Sequence, residues 1–67
     1  MSDQIKSTII NLIKQDSQRE YTIPDIQNGI GIRNREHVAV ALGELEIEGL
    51  VKSRKKGRVK YYHLISG

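Results

Sequence analysis

The 67 residues include no cysteine, no phenylalanine and no tryptophan, and only one proline. Without cysteine there is no disulfide staple, no thiolate metal site and no thiol nucleophile. Tyrosine is the sole aromatic, three in number, which is too few for a platform that stacks successive bases of a single-stranded nucleic acid. Long apolar runs are missing too. The opening stretch "MSDQIKSTIINLIKQD" is interrupted by Asp3, Lys6, Asn11 and Lys14, so it reads as neither a signal peptide nor a membrane span. One small domain over residues 1–67, in the reducing cytoplasm and away from membranes, is the expectation.

Catalytic patterns are equally scarce. "NGIGI" and "KKGR" carry no phosphate-loop spacing and read as turns. Ser7, Ser17, Ser53 and Ser66 stand in no nucleophile motif, and the carboxylates are scattered over helix surfaces. These features argue against an enzyme. His37 and His63 lie far apart with no third ligand suggested, so neither a metal nor another cofactor is expected. No small-molecule effector is evident.

What the chain does have is aliphatic residues at helical spacing and a lopsided charge. Hydrophobic residues make up 37%, mostly Ile, Leu and Val, which suits a compact aliphatic core. Residues 1–51 hold five basic residues against eight acids, a net −3, whereas residues 52–67 hold six basic residues and no acid, a net +6. The body is mildly acidic and the C-terminal stretch "KSRKKGRVK" is strongly basic. Lysines do protect exposed strands from edge-to-edge aggregation, but six uncompensated cations exceed that need and suit a phosphate backbone, where each contact releases counterions.

Periodicity supplies the elements. Ile5, Ile9, Leu12 and Ile13, with Ile10 on the shoulder, predict a first helix capped by Ser2 or Asp3 and fading around Gln15 to Ser17. Tyr21 and Thr22 predict a strand of one rung that needs a distant partner. "TIPDIQNGIGI" predicts a two-turn helix, with Thr22 or Ile23 before Pro24, Asp25 at the positive end of the dipole, and Gly29 and Gly31 ending it. "RNREHVAVALGELEIEGLV" predicts a third helix with Asn34 as its N-cap, Val38, Ala41, Leu42 and Leu45 inward, and Gly49 just past its end. Leu50 and Val51 open a strand to about Arg54, Lys55 to Gly57 turn, and "RVKYYHLI" returns as a hairpin. On that return strand Tyr62 and Leu64 share the core face, with Tyr61 and Val59 on the other. Val38, Leu42, Leu45, Ile9 and Ile13 are expected to form one core.

Two helices joined by a tight Gly-containing turn, then "ALGELEIEGLV" and "GRVKYYHL" in that order, resemble the winged helix-turn-helix family, including its small ArsR-like and FaeA-like regulators. The fold class is accordingly α+β, three helices with a short strand and a C-terminal hairpin wing. The resemblance covers roughly Ile5 to Leu64. It implies double-stranded DNA as partner, transcription regulation as function, and the third helix in the major groove. The ArsR-like metal-sensing thiolates have no counterpart here.

On this resemblance Arg35 would read guanine edges, and Asn34 would contact a base or phosphate in addition to capping the helix. Glu36 would accept from cytosine N4 or hold Arg35, while Ala39 and Gly43 would permit close approach. Arg33 and Val40 lie on the same outer face. Lys52, Arg54, Lys55, Lys56, Arg58 and Lys60 would grip the flanking backbone or minor groove, and backbone N–H groups at Thr22 would hold a phosphate. The stripe Val40, Gly43 and Ile47 fits thymine methyl groups and equally fits a protein partner. The alternative function is therefore a protein-interaction module in a larger complex, and a homodimer or other protein partner is compatible with either.

Overall fold

The computed structural model describes residues 2–65; Met1 and the expected tail residues Ser66 and Gly67 lie outside the described residues. The elements run α1 (Ser2–Lys14), α2 (Ile23–Ile30), α3 (Arg35–Ile47), β1 (Val51–Lys56) and β2 (Val59–Leu64). α1 begins at Ser2, which puts Asp3 inside the first turn and not at the cap. The Ser2 side chain is outside the described set.

Ten residues form the core: Ile9 and Ile13 from α1, Tyr21, Ile26 from α2, Val38, Ala41, Leu42 and Leu45 from α3, Val51 and Tyr62. All four inward positions expected on α3 are buried, as are both on α1. Ile5, Ile10, Leu12 and Leu64 pack at the margin. Ile26, Tyr21 and Val51 join this core without having been singled out, because each lies in a segment too short for periodicity to mark a face.

The one-rung strand exists, and its partner is β2. Tyr21 donates its N–H to the Tyr62 carbonyl at 2.8 Å, and Tyr62 donates back to Tyr21 at 2.7 Å. Both rings are buried, at 5% and 4% exposure. The sheet therefore runs Tyr21, β2, β1, with Tyr21 on the edge of β2 away from β1. Since α2 starts two residues later, this pair seats the start of α2 beside the return strand of the hairpin.

Three local features differ from expectation. Gly29 does not end α2; it lies inside the helix, where a Cβ would come within 2.6 Å of the Leu12 side chain of α1. It is a close-approach site, and α2 closes at Gly31 instead. α3 ends in the paired hydrogen bonds of a Schellman cap, Gly49 N–H to Glu46 O at 3.0 Å and Leu50 N–H to Leu45 O at 3.0 Å, with Gly49 at φ 78°. The hairpin strands are longer than predicted: Lys55 pairs with Lys60 and Lys56 with Val59, leaving only Gly57 and Arg58 as the loop. Gly57 has φ 64° and Arg58 has a negative φ, the pattern of a two-residue turn with glycine at its first central position. Lys55 and Lys56 are consequently ladder residues on opposite faces of the sheet and cannot turn together to one side.

Leu42, fully buried on α3, is the most direct test of this core. Leu42→Ala is expected to cost about 2–5 kcal/mol, most of the stability of a domain this small. A thermal or urea melt measures it, and a transition left unchanged would show that the core does not depend on this face of α3.

Candidate nucleic-acid interface

Three segments distant in sequence meet at one concavity of about 390 Å³. Its walls are Thr22, Ile23 and Pro24 at the start of α2, Arg35 at the start of α3, and Arg58, Val59 and Lys60 at the hairpin tip. Arg35, Arg58 and Lys60 thus face a common space, brought there by the Tyr21–Tyr62 pair and by the turn between α2 and α3. That turn has a support the sequence reading missed. Gln27 donates its side-chain amide to the carbonyls of Arg33 at 2.8 Å and Ile32 at 3.4 Å, fixing the backbone from which Arg33 and Arg35 project. No sequence signal marks this residue, because a glutamine on an amphipathic helix ordinarily faces water.

The two helix starts are built from their own side chains. Thr22 accepts from the Asp25 N–H at 3.3 Å and gives its own N–H to the Asp25 carboxylate at 3.1 Å, a reciprocal capping box. The Thr22 and Asp25 donors that a bound phosphate would use are engaged here, and a carboxylate stands beside them. Asn34 accepts from the N–H groups of Glu36 at 3.0 Å and His37 at 3.4 Å, so its side-chain oxygen serves as the cap of α3. Beyond these caps Arg33, Arg35, Glu36 and Val40 are exposed, with Ala39 and Gly43 half-buried.

The six wing cations fall into two groups. Arg54 reaches across the sheet to Glu20, with contacts of 2.8 Å and 2.6 Å. Lys60 lies 3.6 Å from Glu46 on α3 and 5.3 Å from the centre of the Tyr62 ring. The Glu20 carboxylate raises the pKa of the Arg54 guanidinium; Tyr62, followed by Glu46, does the same for the Lys60 ammonium. Lys52, Lys55, Lys56 and Arg58 have no carboxylate partner among the described residues. Lys55 and Lys60 also sit directly opposite each other, a like-charge cross-strand pair that an anion would relieve.

Among the described residues no group of three or more His, Cys, Asp or Glu side chains converges on a metal position, and no helix is long and apolar enough to cross a membrane.

The Asp25 carboxyl is held below the usual aspartate range by the Thr22 N–H, its largest influence, with the Thr22 hydroxyl next. A carboxylate whose pKa is lowered on folding stabilises fully above its unfolded value and loses that contribution as pH falls through the lowered one. Asp25→Asn should therefore lower the melting temperature at neutral pH, and the gap from the parent should close on acidification below the ordinary aspartate range. Melts across pH measure this, and a gap independent of pH would assign the cap no charge contribution.

No family model matches this sequence, and no curated protein does. Solved structures do. Over 91% of this chain and 98% of the other, the fold superposes with a TM-score of 0.79 and 22% identity on a domain of HOP2, a protein with DNA recognition and protein interaction domains and homologous DNA pairing properties. Over 92% of this chain it superposes, with a TM-score of 0.75 and 26% identity, on a homodimeric winged helix-turn-helix DNA-binding domain from Mycobacterium bovis, described as a possible ArsR-family transcriptional regulator. This chain spans 54% of that one.

Proposed function

We propose that this chain, which has the winged helix-turn-helix fold with β1–β2 as its wing, binds double-stranded DNA and acts as a sequence-specific transcriptional regulator. The observation that carries this reading is the convergence of Arg35, Arg58 and Lys60, from two separate elements and the hairpin loop, on one concavity at the start of α2. A duplex seated on this concavity would meet these three cations together, Arg35 at its base edges and Arg58 and Lys60 at the flanking backbone. The start of α3 would then lie in the major groove, and the wing would follow the flanking backbone. The superposed M. bovis domain, DNA-binding by description, supports the same assignment.

One observation favours a second reading, in which the module contacts protein within a larger complex. Val40 and Ile47, on the outer face of α3, are 55% and 88% exposed. The two readings part at a single measurement. A DNA binder retards a generic duplex at low salt, and a protein-interaction module does not.

With about four of the wing cations on phosphates, the slope of log affinity against log salt is expected near about −3.6 per protomer. Replacing Lys55, Lys56 and Arg58 together with Ala should flatten it by about two to three units. An unchanged slope would move the wing to another role and place the protein-interaction reading first. Arg35→Ala should weaken preference for a selected site over random duplex by about 1–3 kcal/mol while leaving generic binding nearly intact. Equal loss on both duplexes would make Arg35 a phosphate contact.

A further inference from the structure

The outward face of α3 has an unusual chemistry for a helix that reads DNA. At about 100° per residue, Glu36, Val40, Gly43 and Ile47 fall within an arc of about 60°, directly opposite the buried Val38, Ala41, Leu42 and Leu45. These outermost positions hold two large exposed aliphatics and a glycine with open space where its side chain would be. Beyond the first turn, Ala39 to Ile47 includes no Ser, Thr, Asn, Gln, Lys or Arg. The side chains that pair with amino, carbonyl and ring-nitrogen groups on base edges are therefore absent from this stretch, apart from Glu44 and Glu46.

Those carboxylates are not free to wall off the stripe. Glu46 pairs with Lys60 on the wing side, and Glu48, just past the helix, pairs with Lys6 of α1. Glu44 has one carboxylate oxygen buried. What faces outward between Glu36 and the end of α3 is apolar, with Glu44 on its flank. The same helix begins with Arg35, which lines the cationic concavity shared with the wing. The one apolar group that a base pair displays in the major groove of unmodified DNA is the thymine 5-methyl.

We infer that Val40 and Ile47, with Gly43 permitting close approach between them, recognise thymine methyl groups, so that the base preference of this protein beyond the Arg35 contact is set by methyl burial and not by hydrogen bonding. The inference rests on the duplex-binding reading above and adds the chemical class of what α3 reads. It also accounts for aliphatic side chains left in water at the positions farthest from the core, where a purely solvated helix would carry charge.

The test couples a protein methyl to a DNA methyl. A duplex selected from a random-sequence pool is remade with deoxyuridine replacing thymidine one position at a time, and each version is titrated by fluorescence anisotropy against the parent, Val40→Ala and Ile47→Ala. Both residues are more than half exposed, so the variants should retain the parental melting temperature and salt slope. The expected result is a loss of about four-fold for the parent at one or more deoxyuridine positions, the equivalent of ~0.8 kcal/mol for one buried methyl. That loss should disappear in Val40→Ala or Ile47→Ala at the position each residue covers.

Duplex binding that is indifferent to every deoxyuridine substitution would overturn the inference and leave the DNA reading standing. A loss of the same size in the parent and both variants would also overturn it, since the methyl would then be acting through DNA shape. Should no duplex be retained at low salt, the DNA reading itself fails and takes the inference with it, leaving the stripe to a protein partner.

Discussion

The backbone pair between Tyr21 and Tyr62 is the constraint on which the site depends. Two hydrogen bonds below 3 Å join a residue from the loop after α1 to the middle of the return strand, and the two buried rings place that junction in the core. Everything that follows Tyr21 is positioned by it. α2 starts beside Val59 and Lys60, the α2–α3 turn delivers Arg35 to the same concavity, and the base of the hairpin is buried in the core through Val51 and Tyr62. Without that rung the wing would be a two-stranded sheet, marginal on its own in water, and would depend on the packing of Val51 and Tyr62 in the core.

Charge is distributed around this junction with a division of labour. Glu20 holds Arg54 across the outer face of the sheet and Glu46 holds Lys60 against α3, so two of the six wing cations serve partly to orient the hairpin. Exposed ion pairs of this kind contribute little to stability, and a phosphate can replace a carboxylate at modest cost. Of the four unpaired cations, Lys52 lies at the base of the hairpin, and Lys55, Lys56 and Arg58 lie at the tip, beyond the buried residues Val51 and Tyr62. Like charges at Lys55 and Lys60 face each other there, so the tip is the part of the molecule most improved by an anion.

The apolar stripe on α3 belongs to the same layout. Two nearby carboxylates, Glu46 and Glu48, are paired with Lys60 and Lys6, and Lys6 is anchored by α1 packing on the core. The acidic character of the body is thus partly neutralised around the helix that would approach DNA. The exposed Glu36 remains the one acid in line with Val40 and Ile47.

Much of this was legible in the residues alone. Helical spacing located both faces of the core helices, because burial on α1 and α3 repeats over three turns or more and averages out local exceptions. Asn34, Gly49 and the basic hairpin followed from cap and turn chemistry, which is settled within a few residues. Even the single rung at Tyr21 was readable as a strand seeking a partner. Which partner it found was not, since pairing across forty residues leaves no periodic trace. For the same reason only the tertiary structure decided that Arg35, Arg58 and Lys60 share one space, that Gln27 braces the turn, that Gly29 is a packing site and not a stop, and that Arg54 and Lys60 are claimed by Glu20 and Glu46. Sequence determines what each segment can offer; proximity between segments is fixed by how the buried surfaces close on one another.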